Sequence, residues 1–468
     1  MYITRMFSTA ALLASVIWAS HGRAAEYEKY RQPLLDKPAI TQADILPLIE
    51  RLNGSPLLKV QQLGKSFEGR PIYKLSLGEG ETRILLWSQM HGDEPTATAA
   101  LFDLLNFISA PEQADWRDEW LSRVQLVMVP MLNPDGAERN RRRNAQGFDI
   151  NRDAISLQSP EGRALMSLAR AYKPHFGFNL HDQNRFYGVG DSGKMATISV
   201  LAPPYNTARE VNESRRRAMQ LIAALAPVVE SFTPGHLAKY DDTYAVRAFG
   251  DTFSEMGIST VLIESGAHPQ DDNRQIAREL NFRMLLSAIE AIGTGSYLKA
   301  DPTDYDRIPF NRDDAIVDLK LSGVRVQSEG SEYLTDLAIN QHGDRAGMVD
   351  VGDLSNLSGA MNVGLEDWVY SKPKAYELPE GEVLVLDDAL YRSLISQGFG
   401  YFTGDESNLK VTTSLPVVLN PAHVQSDTPL RRRGSTFILK VGDQVVAAVL
   451  QGTYVELPSA AGALVGSR

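Results

Sequence analysis

The strongest constraint on the fold is an alternation of strand-like and helical runs between about residue 40 and residue 295. Short apolar runs such as RILLW, VQLVMVPML, FGFNL and STVLIES are separated by longer runs with the apolar spacing of a helix, such as TATAALFDLLNFI. This alternation is typical of α/β domains, in which helices cover both faces of a parallel sheet. We therefore predict a mixed, largely parallel sheet flanked by helices.

The character of the chain changes near residue 300. After the segment ADPTDYDRIPFNRDD, which is rich in Asp and Pro, the runs become short and β-like, as in VDLKLSGVRV and TFILKVGDQVVAAVL. A chain of 468 residues also exceeds what one compact core usually contains. We predict an α/β domain at residues 25–298 and a smaller β-rich domain at residues 299–468, for which no motif indicates a role.

The first 24 residues have the features of a secretory signal peptide. Arg5 precedes the apolar stretch MFSTAALLASVIWAS, and the small residues Gly22 and Ala24 fit a cleavage site after residue 24. The stretch is too short for a membrane-spanning helix. We expect a chain that is exported to a periplasmic or extracellular location and is not inserted into the membrane after cleavage.

Composition restricts the chemistry of this chain. It contains no cysteine, which removes disulfides, a thiol nucleophile and cysteine-based zinc sites. Its net charge of −11 disfavours nucleic acid as a partner, because the phosphates would be repelled. Any reaction must therefore use histidine, carboxylate, serine or arginine side chains.

Four of the predicted strands end in residues that could bind a metal or a substrate. His91 follows RILLW, the tetrad NPDG follows VQLVMVPML, His181 follows FGFNL, and Glu264 ends STVLI. In open α/β sheets, ligands bind outside the carboxyl ends of the strands. We therefore expect these four strand ends to form one site.

His91, Glu94 and His181 together have the donor atoms of a catalytic zinc site. Such a zinc ion takes three protein ligands and keeps a fourth position for water. Glu264 is then the candidate base for that water, and Asp149 could hold the second nitrogen of a ligand histidine. A simpler alternative for Glu94 is that it only stabilises the N-terminal end of the following helix. The zinc interpretation predicts one Zn²⁺ ion in the α/β domain.

The motifs HGDE, NPDG, RRNAQGFDINRD, NLH and VLIE, in this order, resemble those of the M14 zinc carboxypeptidases over residues 50–295. The resemblance implies zinc binding by His91, Glu94 and His181. It also implies that Glu264 is the general base and that Asn151 and Arg152 bind the terminal carboxylate of the substrate. The implied activity is hydrolysis of the C-terminal bond of a peptide, isopeptide or cell-wall peptide that has a free C-terminal carboxylate.

Two further roles implied by the resemblance have several candidates. The arginine that polarises the scissile carbonyl could be Arg139, Arg141, Arg142 or Arg143. Its spacing from the glycine of RRNAQG favours Arg142, with Arg139 as the second choice. The tyrosine that covers the substrate could be Tyr240 or Tyr244, and Tyr244 aligns better.

One departure from the family pattern concerns the substrate. The digestive members have a basic residue where this chain has Asp93. Asp93 could favour a substrate with a positive group, or it could cap the following helix. Two other functions are compatible with the motifs, namely a deacylase of small N-acyl amino acids and an inactive peptide-binding module.

Overall fold

The computed structural model describes residues 26–458, except for residues 270, 272, 329, 343–344, 366 and 432–433. The predicted signal peptide therefore lies outside the described residues. The chain divides into two compact units, of which the first ends at Asp313 and the second begins at Asp314.

This division falls later than the boundary expected near residue 300. Residues 299–313 belong to the first unit, because Tyr305 and Ile308 are buried in its core and Asn311–Arg312 pairs as a short strand with Gly188–Val189. These contacts join segments more than 100 residues apart, so the local change in sequence pattern did not indicate them.

The helices and strands of the first unit alternate along most of its length. The helices are α1 (Tyr27–Tyr30), α2 (Gln42–Asn53), α3 (Thr96–Ser109), α4 (Ala114–Leu121), α5 (Pro134–Glu138), α6 (Pro160–Tyr172), α7 (Glu213–Phe232), α8 (Phe249–Glu255), α9 (Gln275–Thr294) and α10 (Pro302–Asp306). The strands are β1 (Lys59–Lys65), β2 (Pro71–Leu77), β3 (Thr82–Ser88), β4 (Val124–Val129), β5 (Phe176–Asp182), β6 (Gly188–Val189), β7 (Ile198–Leu201), β8 (Leu237–Lys239), β9 (Ser259–Ser265) and β10 (Asn311–Arg312). Short 3₁₀ turns occur at Pro33–Leu35, Pro111–Gln113, Ile150–Arg152 and Ser296–Lys299.

The main sheet of this unit has eight strands in the order β1-β2-β4-β3-β5-β9-β7-β8. The central strands β4, β3, β5 and β9 are parallel to one another. The pairs β1–β2, β2–β4 and β9–β7 are antiparallel. The predicted mixed sheet with flanking helices is confirmed.

Strand β3 shows why the apolar runs form the centre of this sheet. Ile84 and Leu86 pack in the core on one face, with α2, α3, α7 and α9. Leu85 and Trp87 pack in the core on the opposite face, with α6 and α8. A strand buried on both faces needs a continuous apolar run, and RILLW supplies one.

The parallel strands place the candidate residues at a common edge. Strands β3, β5 and β9 are adjacent and end on the same side of the sheet. His181 and Glu264 are direct partners in the register of β5 with β9. Residues separated by more than 80 positions in the chain are therefore neighbours in the fold.

The second unit is rich in β-structure, as predicted. Its elements are β11 (Ile316–Ser328), β12 (Ser331–His342), β13 (Arg345–Gly352), β14 (Ser358–Gly364), β15 (Val369–Ser371), β16 (Lys374–Glu377), β17 (Leu384–Leu386), α11 (Asp388–Ser396), β18 (Phe399–Thr403), a 3₁₀ turn (Glu406–Asn408), β19 (Leu409–Val411), β20 (Phe437–Val441), β21 (Gln444–Leu450) and β22 (Thr453–Glu456). The main sheet has the order β13-β12-β11-β15-β20-β21-β22, and β14 also pairs with β11. Among the described residues of the whole chain, every helix is too short or too polar to cross a lipid bilayer.

Candidate metal centre and substrate cavity

Three side chains at the carboxyl edge of the sheet form a buried cluster. His91 follows β3, Glu94 precedes α3, and His181 lies near the end of β5. The Nδ1 atoms of His91 and His181 each lie 2.7 Å from an oxygen of Glu94, and they are 3.1 Å from each other. One possible ligand atom from each residue lies within 4.8 Å of the other two. The three predicted metal ligands are thus brought together by the fold.

Two glycines explain how the loop that carries His91 reaches this position. A Cβ atom added to Gly92 would lie 2.0 Å from the carbonyl carbon of Gly136. A Cβ atom on Gly136 would lie 2.4 Å from the Asn133 amide nitrogen. The HGDE and NPDG motifs therefore pack backbone against backbone, which only glycine allows.

The cluster has the chemistry of a zinc site. Two imidazoles and one carboxylate are a known ligand set for catalytic zinc. His91 Nε2 lies 3.1 Å from Asp149 Oδ1, so a bond to this carboxylate leaves the Nδ1 lone pair available for a metal. Asp149 is therefore placed where the sequence predicted it. The donor set, its burial and this outer contact all fit a zinc ion.

The carboxylate of Glu94 supplies the negative charge of the cluster. Burial alone would raise the pKa of Glu94, but His91 and His181 together hold this pKa well below its usual range. Glu94 is therefore an anionic carboxylate at neutral pH. A buried anion between two imidazoles is the arrangement that a divalent cation would stabilise.

A cavity of about 730 Å³ opens beside this cluster. Its lining includes the predicted metal ligands, base and substrate-binding residues, which are His91, Glu94, Arg142, Asn151, Arg152, His181, Tyr240, Tyr244 and Glu264. Burial raises the pKa of Glu264 well above its usual range, and the negative charges of Glu94 and Asp182 raise it further. These surroundings make Glu264 a stronger base than an exposed carboxylate.

Among the four candidate arginines, Arg142 lies against the metal cluster. Its Nη1 atom is 3.2 Å from Glu94 Oε1, and its Nε and Nη2 atoms donate to Asp149 Oδ2 at 3.1 and 3.0 Å. Arg139 instead forms an ion pair with Glu68. Arg142, which the spacing favoured, therefore lies next to the predicted metal ligands, and its action on the scissile carbonyl stays a prediction.

Asn151 and Arg152 lie next to the cluster in a 3₁₀ turn. Asn151 Oδ1 accepts the backbone N–H of Phe249 at 2.9 Å, and its Nδ2 lies 3.4 Å from His181 Nε2. Arg152 Nη1 donates to the carbonyl oxygen of Asn151 at 2.7 Å. Arg152 is exposed on the cavity wall, so its remaining N–H groups can meet an anion.

Both candidate tyrosines line the cavity. The ring of Tyr240 lies 5.9 Å from that of Tyr187, and burial followed by the charge of Glu264 raises its pKa. Tyr244 is half-buried on the same wall. The geometry therefore keeps both residues as candidates for contact with the substrate.

Asp182 has a role that the sequence did not reveal. Its Oδ2 accepts the N–H and the hydroxyl of Thr96 at 3.3 and 2.7 Å, and its own N–H donates to Glu94 at 3.2 Å. Asp182 therefore caps α3 and orients Glu94. One of the two alternatives for Asp93 was to cap this helix, but Asp182 makes these bonds. The partners are 86 residues apart, so no local motif could indicate the contact.

Arg274 is a second cavity residue that no sequence motif indicated. It belongs to the loop between β9 and α9 and lines the cavity together with Asp182 and Gln183. The only sequence signal was its position after the strand that ends in Glu264.

Comparisons with known proteins find similarity to carboxypeptidases. Residues 48–185 match the family described as zinc carboxypeptidase. Over 128 residues the chain is 30% identical to carboxypeptidase 2 of Trichophyton tonsurans. This match covers 25% of this chain and 23% of that protein. Over 133 residues it is 29% identical to carboxypeptidase D of Rattus norvegicus. This second match covers 25% of this chain and 10% of that protein. The chain thus spans about a quarter, or less, of the length of these two relatives.

A solved structure with a similar fold is a metallo-carboxypeptidase from Burkholderia cenocepacia. The sequence identity is 19% and the TM-score is 0.44, and the match covers 55% of this chain and 70% of the other.

Proposed function

We propose that this chain, whose residues 48–185 match the zinc carboxypeptidase family, is a metallocarboxypeptidase that removes the C-terminal residue of peptides. The proposal rests on one observation about the first unit. A metal-binding cluster, a carboxyl group able to act as base and an Asn–Arg pair all line the same cavity.

His91, Glu94 and His181 would hold the zinc ion. When bound, zinc supplies a more acidic water molecule and polarises the carbonyl of the scissile bond. Glu264 would take the proton of the attacking water and pass it to the leaving amine. The burial that raises the pKa of Glu264 favours this transient protonated form.

Arg142 and the Asn151–Arg152 pair would act on the substrate. The Arg142 guanidinium can donate to the oxyanion that develops on the attacked carbonyl. Asn151 and Arg152 can bind the free carboxylate of the last residue through charge-assisted hydrogen bonds. Recognition of this carboxylate would restrict cleavage to the end of a peptide chain.

Replacing His181 by alanine is expected to abolish both zinc binding and amino acid release. Two remaining ligands do not form a catalytic zinc site, and even changes outside the ligand shell weaken metal affinity by about 10- to 100-fold. Zinc per protein would be measured by elemental mass spectrometry, and amino acid release would be measured with N-blocked dipeptides.

His175→Ala is the matched control for His181→Ala. His175 is exposed at the start of the same strand, and its Nδ1 accepts the N–H of Arg83 at 3.0 Å. This variant should keep one zinc ion and its activity. One equivalent of zinc in folded His181→Ala protein would contradict the assignment of this ligand.

A further inference from the structure

The cavity lining contains a third arginine, Arg274, besides Arg142 and Arg152. We infer that Arg274 binds a carboxylate on the acyl side of the scissile bond, namely on the penultimate residue of the substrate. The inference rests on the proposed function, because it takes Asn151 and Arg152 as the site of the terminal carboxylate. It assigns peptides with an acidic penultimate residue as the preferred substrate class.

Arg274 is held firmly where the loop meets α9. The carboxylate of Asp271 accepts the N–H groups of Gln275 and Ile276 at 2.9 and 2.6 Å. Arg274 itself has a φ of 51°, a left-handed conformation that is uncommon for a residue with a side chain. Such conformations persist only where the surrounding contacts impose them. The Asp271 carboxylate and the start of α9 therefore set the backbone position of Arg274.

The Arg274 side chain is anchored on one side only. Its Nη2 atom donates to the carbonyl oxygen of Gln183 at 3.0 Å. Its Nη1 atom lies 3.8 Å from Asp182 Oδ2, which is longer than a hydrogen bond. Its Nε atom is buried and has no hydrogen-bond partner among the described residues.

Asp182 forms only a long ion pair with this guanidinium, at 3.8 Å. The Oδ2 atom of Asp182 is already bound to the N–H and hydroxyl of Thr96. The Arg274 side chain remains 31% exposed while it lines the cavity. The guanidinium therefore keeps N–H groups available for a ligand. Asp182 lies close enough to orient the guanidinium.

Asn151 and Arg274 contact different residues at the end of β5. Asn151 lies against His181 and the start of α8, whereas Arg274 lies against Asp182 and Gln183 beyond the end of β5. His181 and Asp182 are successive residues of β5, so their side chains point to opposite faces of the strand. The charge of Arg274 also acts on Glu264. A peptide with its terminal carboxylate at Asn151 would then present its penultimate residue to Arg274.

The chemistry of Arg274 selects the ligand group. A guanidinium binds carboxylates through planar, charge-assisted pairs of hydrogen bonds, and it stays charged at every relevant pH. A cavity of about 730 Å³ is also large enough for a ligand bigger than one amino acid. The substrate group that fits Arg274 is thus a carboxylate on the penultimate residue, whose carbonyl is attacked.

The test compares two N-blocked peptides that differ only in penultimate Glu or Gln. Both end in the residue that the wild-type enzyme releases fastest, and the measured quantity is the ratio of their kcat/KM values. The wild type should favour the Glu peptide by about 10- to 100-fold, the range of one charge-assisted hydrogen bond. This ratio should fall to about one in Arg274→Gln and remain intermediate in Arg274→Lys, because lysine keeps the charge but not the planar fork.

Arg123→Gln is the matched control, because Arg123 is an exposed residue that pairs with Glu119 at the surface. This variant should keep the wild-type ratio. A wild-type ratio near one, or an unchanged ratio in Arg274→Gln, would overturn the inference. Circular dichroism of each variant would show that it is folded.

A binding measurement separates this inference from the proposed function. If the zinc-loaded wild type cleaves neither peptide, the proposed function fails, and calorimetric titration of both peptides tests Arg274 alone. Tighter binding of the Glu peptide by the wild type, lost in Arg274→Gln, would still support the carboxylate subsite. Equal binding of the two peptides would overturn it.

Discussion

Replacing Glu264 by glutamine is expected to lower kcat by about 10²- to 10⁴-fold, the usual contribution of a positioned general base. Glutamine has nearly the same size as glutamate but cannot accept the proton of the attacking water. Glu264 is buried at the end of β9 and lines the cavity beside the zinc cluster. Its loss should therefore affect the reaction much more than the fold.

Three measurements distinguish loss of the base from damage to the site. Glu264→Gln protein should still contain one zinc ion and should bind a peptide with a free C-terminus. Glu255→Gln is the matched control, because Glu255 is exposed at the end of α8. Activity above about a tenth of the wild-type value in Glu264→Gln would remove this residue from the role of general base.

Replacing Arg278 by methionine is expected to destabilise the first unit by about 3–5 kcal/mol, the usual cost of removing one partner of a buried ion pair. Arg278 and Asp103 are almost fully buried and form two hydrogen bonds of 2.7 Å. Methionine fills a similar volume but leaves the Asp103 carboxylate without its cation. The pair connects α9 with α3 on one face of the sheet.

The stability of this variant would be measured by urea unfolding followed by tryptophan fluorescence. Trp87, Trp116 and Trp120 are all buried in the first unit, so this signal reports mainly on that unit. Arg307→Met is the matched control, because Arg307 forms a surface ion pair with Asp304. Surface pairs contribute about 0–1 kcal/mol. Equal losses in the two variants would contradict the importance of the buried pair.

The central sheet and the metal cluster could be predicted from the sequence because both depend on local patterns. A strand buried on both faces needs a continuous apolar run, as RILLW shows. Parallel neighbouring strands then bring their carboxyl ends to one edge, which is why His91, His181 and Glu264 could be grouped before the fold was known.

The remaining features depend on contacts that leave no local signal. Asp182 caps a helix that begins 86 residues earlier, at Thr96. Arg274 reaches the cavity because of a loop conformation that the residue types alone do not specify. The first unit extends to Asp313 because β10 pairs with β6. The export predicted from residues 1–24 stays a prediction.

The most direct test of the proposed activity is mass spectrometry of the products formed by the zinc-loaded protein. The mixture would contain peptides with free C-termini, the same peptides with amidated C-termini, and small N-acyl amino acids. We predict stepwise loss of single C-terminal residues from the free-acid peptides, with the amidated peptides left intact. Cleavage inside the peptides, equal cleavage of the amidated forms, or turnover of the N-acyl amino acids alone would contradict a carboxypeptidase.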